Sequence, residues 1–141
     1  MKLLVDTNVV LDILLRREPY YENAARIAVL SENEYISCYI PASAFTDIYY
    51  ITQKELKNKE SSVELLTNLL NTFRIANVTE TNIYEALDLK WDDIEDCVQY
   101  VVGKSINVDY IITRNVRDFI RGLINAMSPK EFLEMITEGE K

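Results

Sequence analysis

The sequence predicts an α/β fold, with a parallel β-sheet covered by helices on both faces. Three observations lead there. Apolar runs such as "KLLVD" (2–6) and "DYIIT" (109–113) are continuous rather than alternating, the pattern of strands buried on both faces. Segments with helical apolar spacing separate these runs. At 141 residues, with 48% hydrophobic content and only three Gly and three Pro, the chain has the size of a single domain spanning 1–141, with a substantial core and few long linkers.

Taken in order, "KLLVD" is the first strand and "NVVLDILLRR" (8–17) the helix after it. "PYYENAARIAVLSEN" opens on Pro19, which suits the first turn of a helix, and aligns Ala24, Ile27, Ala28 and Leu30 on one face. "EYISCYI" (34–40) is β-rich and forms strand two. From Pro41, "PASAFTDIYYITQKEL" returns to helical spacing through Phe45, Ile48, Tyr49 and Leu56. "ESSVELLTNLLNTF" is an amphipathic helix leading into "RIANV" (74–78), the third strand. "TETNIYEALDLK" carries Thr79 and Thr81 as candidate caps. The segment after Asp92 is helical, "DYIIT" is strand four, and a weaker fifth strand lies near "INAM". "SPKEFLEMITEG" ends the chain as a helix whose Ser128, Pro129 and Glu131 suit its first turn.

Composition narrows the chemistry. The chain contains no histidine, which excludes a Ser-His-Asp triad, a Cys-His pair and any imidazole-ligated metal. An enzyme built from this chain must use carboxylates. Cys38 and Cys97 lie in different elements without metal-ligand spacing and are expected to be small core residues. No run approaches the length of a membrane span and the first residues lack a basic signal-peptide head, so a cytoplasmic location is expected. With 23 acidic and 15 basic residues, the net charge of −8 opposes general attraction to a polyanion. A nucleic-acid substrate therefore requires local charge to differ from the average.

The acids fall at one edge. In a parallel sheet, function collects where strands end at their carboxyl edge. Asp6 closes strand one, Asp47 lies in the helix after strand two, and Asp118 follows strand four in "TRNVRDF". In "WDDIEDCVQYVVGKS", Ile94, Cys97, Val98, Val101 and Val102 form the buried stripe of a helix. Asp93 and Asp96 lie along one margin of that stripe, a turn apart. Taken singly, each acid has an ordinary explanation. Asp6 with Thr7 and Asn8 can cap a helix, and Asp92, Asp93, Glu95 and Asp96 suit the dipole of a first turn. Asp47 alone can be a solvated helix residue, and Thr113 and Asn115 turn residues. Tyr49, Tyr50 and Tyr100 read as core or interface aromatics. Together, carboxylates crowded at one edge raise one another's pKa unless a divalent cation neutralises them, and an all-oxygen set suits Mg²⁺ or Mn²⁺. Such a site hydrolyses phosphodiesters without histidine.

"LLVDTNVVLDILLRREPYYENA", "DDIEDCVQY" and "DYIITRNVRDF" together resemble the PIN-domain family, particularly its VapC-like toxin branch, from about residue 2 to residue 135. The resemblance implies an α/β/α sandwich around about five parallel strands, and Mg²⁺- or Mn²⁺-dependent cleavage of RNA by the toxin of a toxin–antitoxin pair. It implies metal-holding roles for Asp6 and Asp96, with Asp93 and Asp47 assisting; Asp118, three residues beyond Asn115, is the candidate to take over the remaining metal-holding role. Asn8 would orient Asp6 by a hydrogen bond, and Thr113 would steady it. Two departures stand out: Asp47 replaces the usual Glu, and Asn115 stands where many members carry an acid. Arg114, Arg117 and Lys104 are candidate phosphate contacts near the edge. An antitoxin partner and a homodimer are further expectations from the resemblance. The competing reading is a decayed PIN-like module that binds RNA or protein without cleaving.

Overall fold

The computed structural model describes residues 1–139; the last two residues of the expected 1–141 domain lie outside that range. The described chain runs β1 (Lys2–Val5), α1 (Thr7–Leu14), α2 (Tyr21–Glu32), β2 (Ser37–Pro41), α3 (Ala42–Leu56), α4 (Lys59–Leu70) and β3 (Arg74–Ala76). It continues through α5 (Glu80–Leu89), α6 (Ile94–Ser105), β4 (Tyr110–Ile112), a short 3-10 helix (Val116–Phe119), β5 (Asn125–Met127) and α7 (Pro129–Gly139). The five strands form one sheet in the order β3-β2-β1-β4-β5. Every pairing is parallel.

Side-chain alternation along the strands makes the three layers. Leu3 and Val5 of β1, Cys38 and Ile40 of β2 and Ile112 of β4 point to one face. There they meet Val9, Val10 and Leu11 of α1, Ala24 and Ile27 of α2, Ile48 of α3, Leu66 of α4 and Phe132 of α7. Leu4 and Ile111 point the other way, onto Ala86 of α5 and Cys97, Val98, Val101 and Val102 of α6. The apolar stripe expected for α6 is thus the face that covers the sheet. Cys38 and Cys97 are free and buried in opposite layers.

Several boundaries differ from the sequence reading, each for a local reason. The first helix stops at Leu14 rather than Arg17, because Arg16 takes a left-handed conformation (φ 50°). Tyr20 and Tyr21 both donate backbone hydrogen bonds to Arg17 O, so Pro19 sits in a turn and α2 begins at Tyr21. Glu34, at φ 63°, and Tyr35, bonded to Leu30 O, complete the exit from α2 and delay β2 to Ser37. Pro41 closes β2 instead of opening α3. Thr79, not Thr81, caps α5, in a reciprocal box with Asn82. Ser128 and Glu131 exchange the same pair of bonds at the start of α7.

The strand order fixes where a site can form. From β1 the chain moves outward through β2 to β3, then returns past β1 to place β4 on its other side. The turn-over point lies between the carboxyl ends of β1 and β4, where the connecting helices diverge and open a crevice. The residues leaving those two ends are Asp6 and Thr113.

Candidate active site

Asp6 continues the alternation of β1, so its side chain turns toward the layer of α6 rather than along α1. Its backbone is in register, donating from N–H to Ile112 O at 2.9 Å. Although Asp6 occupies the N-cap position of α1, its carboxylate caps nothing. Instead, Oδ1 accepts from Gln99 Nε2 at 3.0 Å and Oδ2 accepts from Thr113 Oγ1 at 2.8 Å. The capping explanation for Asp6 therefore fails. Asp6 is 4% exposed and its two partners are buried more deeply still. Thr113 is held in turn, its Oγ1 accepting the Asn115 N–H at 3.0 Å.

Asn8 does not make the bond to Asp6 that the resemblance implied. It is the second residue of α1, two beyond Asp6, and lines the crevice, while the orienting amide comes from Gln99. The signal for Gln99 was present in the sequence: a lone amide inside the apolar stretch Cys97–Val102, three residues beyond Asp96 and so on the same side of α6.

The crevice, of about 290 Å³, is lined by the carboxylates of Asp6, Asp47, Asp93, Glu95, Asp96 and Asp118. Asp47 arrives from α3, Asp93 to Asp96 from the start of α6, and Asp118 from the 3-10 helix. Thr7, Asn8 and Asn115 add polar side chains to the lining, and Leu11 and Ile51 add apolar ones. Asp93 is the N-cap of α6, its Oδ1 accepting the Asp96 N–H at 3.1 Å. One of its oxygens is thereby committed to the helix. In the sequence Glu95 reads only as a first-turn acid, and the fold brings it to the crevice.

The electrostatics record the crowding. Burial, then the charges of Asp93, Asp6, Asp118 and Glu95, push the Asp96 carboxyl up to about 7. Glu95, although largely exposed, is also raised, by partial burial and then by Asp47, Asp93 and Asp6. Because Asp96 titrates above its ordinary 3.8, the folded chain keeps a proton that the unfolded chain releases. Its contribution to stability is present at acid pH and is lost as pH rises from about 4 through about 7. Without divalent cations, the thermal midpoint of wild type should fall more between about pH 5 and about pH 7.5 than that of Asp96→Asn. Equal slopes for the two proteins would contradict this assignment.

The donor set fits a hard divalent cation: all oxygens, several of them ionisable, with the buried Thr7 Oγ1 left without a hydrogen-bond partner beside them. No group of three Asp or Glu side chains among the described residues stands ready-made as a metal cluster. Carboxylates that repel one another settle apart until a counter-charge draws them in.

The three basic candidates part company. Lys104 does not lie near the edge. It sits at the far end of α6, about 12 Å along the helix from Asp96, paired with Glu85 at 2.8 Å. The sequence suggested proximity because Lys104 precedes strand four closely, but α6 runs back along the sheet before that strand begins. Arg114 is turned away from the crevice: its Nε stands 2.9 Å from Asp12 Oδ2, off-line for a hydrogen bond, and Nη2 donates to Oδ1 at 3.4 Å. Its guanidinium also lies 4.0 Å over the Tyr20 ring. Arg117 alone faces the acids, lining a neighbouring cleft with Asp93, Asp96 and Asp118.

These features meet in a known architecture. A family model described as a PIN domain matches residues 2–117, and the chain belongs to that family. Solved structures carry the same fold. Rickettsia felis VapBC2, bound to a DNA fragment from its promoter, aligns at 16% identity and a TM-score of 0.69, covering 91% of this chain and 98% of that one. Mycobacterium tuberculosis VapC20, described as a sarcin–ricin loop cleaving toxin, aligns at 13% identity and a TM-score of 0.62, covering 77% and 86%. A toxin–antitoxin complex from Klebsiella pneumoniae aligns at 20% identity and a TM-score of 0.64, covering 89% and 96%. No curated protein matches the chain. No helix among the described residues is long and apolar enough to cross a membrane.

Proposed function

We propose that this chain is a divalent-cation-dependent endoribonuclease, the toxin of a toxin–antitoxin pair. The observation that carries the reading is the convergence of acids from four separate parts of the chain on one crevice at the turn-over point of a PIN fold. Likeness to toxin structures supports the substrate class and the partner.

Asp6, Asp96 and Asp118 would hold Mg²⁺ or Mn²⁺, with Asp93 through its uncommitted oxygen and Asp47 assisting. A cation bound there supplies a hydroxide nucleophile near neutral pH and stabilises the charge that develops on a phosphodiester. The protein's part is positioning. Gln99 and Thr113 hold both Asp6 oxygens in place, so Asp6 needs little reorganisation when it binds. Asp96, titrating near 7, takes up or releases a proton at working pH according to whether a counter-charge is present. An antitoxin covering this crevice would silence it, and a homodimeric, cytoplasmic, single-domain protein completes the proposal.

Incubation of the purified chain with RNA tests the reading. Cleavage that requires Mg²⁺ or Mn²⁺ and stops on chelation is expected. The second reading, a binding module without catalysis, draws on Asn115, which stands at the crevice where an acid would add a ligand. RNA binding with no cleavage in either cation would establish that second reading and overturn the first.

A further inference from the structure

We infer that the cleft between Trp91 and the Arg117–Arg121 segment is a subsite for one nucleotide of single-stranded RNA beside the scissile phosphate. The inference rests on the nuclease reading above. This cleft, of about 280 Å³, adjoins the acid crevice and shares Asp93, Asp96 and Asp118 with it. A strand whose phosphate sits among those carboxylates therefore has its neighbouring nucleotide at Trp91.

The chemistry of the cleft suits that occupant. Trp91, half-buried, stacks at 5.0 Å on Tyr100 and meets Phe119 edge-on at 6.4 Å, so its indole is fixed rather than mobile. A rigid indole lining an open cleft is a platform for a base, and stacking of this kind tolerates any base. Tyr100 also locks the opposite wall. Its hydroxyl accepts the Leu123 N–H at 3.2 Å, and a Cβ on Gly122 would come within 2.6 Å of its ring. The close approach that only glycine permits thus fixes the segment carrying both arginines against the aromatic pair.

The arginines supply the phosphate partners. In a chain of net charge −8, Arg117 and Arg121 line a cleft that also holds four aspartates, yet neither forms an ion pair among the described residues. Arg121 is held at the rim by donating Nη1 to Lys90 O at 3.3 Å. Two exposed guanidinia, free of carboxylate partners, can each contact a phosphate oxygen. With four aspartates against two arginines the cleft remains acidic in balance, so the arginines act as local phosphate contacts and not as a long-range attraction for a polyanion.

The test uses the only tryptophan in the chain, which reports binding independently of cleavage. Wild-type protein in chelator at low ionic strength is titrated with decauridylate while indole fluorescence is followed. Saturable quenching is expected. Replacing both Arg117→Ala and Arg121→Ala should weaken binding about tenfold and reduce the salt dependence by about 1.4 in log–log slope, two phosphates at about 0.7 each. Arg117→Lys with Arg121→Lys, which keeps the charge, should restore most of the affinity and show that the alanine protein is not simply misfolded. No quenching, or an unchanged affinity in the alanine protein, overturns the subsite. Metal-dependent cleavage that persists with an unchanged KM in that protein overturns the subsite and leaves the nuclease reading standing. Quenching that depends on the arginines, with no cleavage by wild type in either cation, sinks the nuclease reading and retains the binding cleft.

Discussion

Asp6→Asn is expected to lower RNA cleavage by about a thousandfold while leaving the fold in place. Asparagine matches aspartate in size. Its Oδ1 can keep the bond from Gln99 Nε2, and its amide can donate to Thr113 Oγ1, so both contacts of the native carboxylate persist in altered form. What disappears is the charge. A cation that loses the anchor fixed on both sides forfeits several kcal/mol of charge stabilisation, roughly three decades in rate. Steady-state cleavage and a thermal melt on the same preparation check both halves of the statement. Activity within about tenfold of wild type would remove Asp6 from the centre of the mechanism.

The second large effect is on stability. Arg114→Met should destabilise the chain by about 3 kcal/mol in urea unfolding, because it strips a buried carboxylate of its ion-pair partner and leaves only the weaker pull of Arg17. Asp12 is 1% exposed. Burial already raises its pKa against the opposing pull of Arg114 and Arg17. The low end of the usual range for a broken buried pair applies, since the Arg114 side chain is a quarter exposed. Adding Asp12→Leu to Arg114→Met should recover most of the loss, as apolar pairs commonly replace buried ion pairs well. A cost below about 1 kcal/mol for the single change would reclassify the pair as a surface contact. The loss should also reach the site, because Arg114 adjoins Thr113, which holds Asp6.

The layers and strand direction were legible because continuous apolar runs have few alternatives to a two-sided buried sheet. "KLLVD" and "DYIIT" became adjacent strands, and even the weak "INAM" run paired, as β5. Much of the acid crevice was legible for the same reason: a carboxylate at the end of an apolar strand has nowhere to go but the sheet edge. What the sequence hid were contacts set by helix rotation and helix direction. Gln99 stands out in the sequence as a lone amide among apolar residues, but the carboxylate it meets is set only when the rotation of α6 brings that side onto Asp6. Lys104 is close to β4 in sequence but lies at the other end of the helix. Arg114 looked like a free cation because its partner, Asp12, is 102 residues away. Asp93 serves the helix cap as well as the crevice, two uses that spacing alone cannot separate.

The claim beneath all of this is that carboxylates from β1, α6 and the segment after β4 close on one divalent cation. Anomalous diffraction from a crystal soaked in Mn²⁺ tests it most directly. A single strong peak within ligand distance of Asp6, Asp96 and Asp118, absent from Asp6→Asn crystals, is the result expected. A soaked crystal with no peak among these acids, together with a melting temperature that Mn²⁺ leaves unchanged, would contradict it.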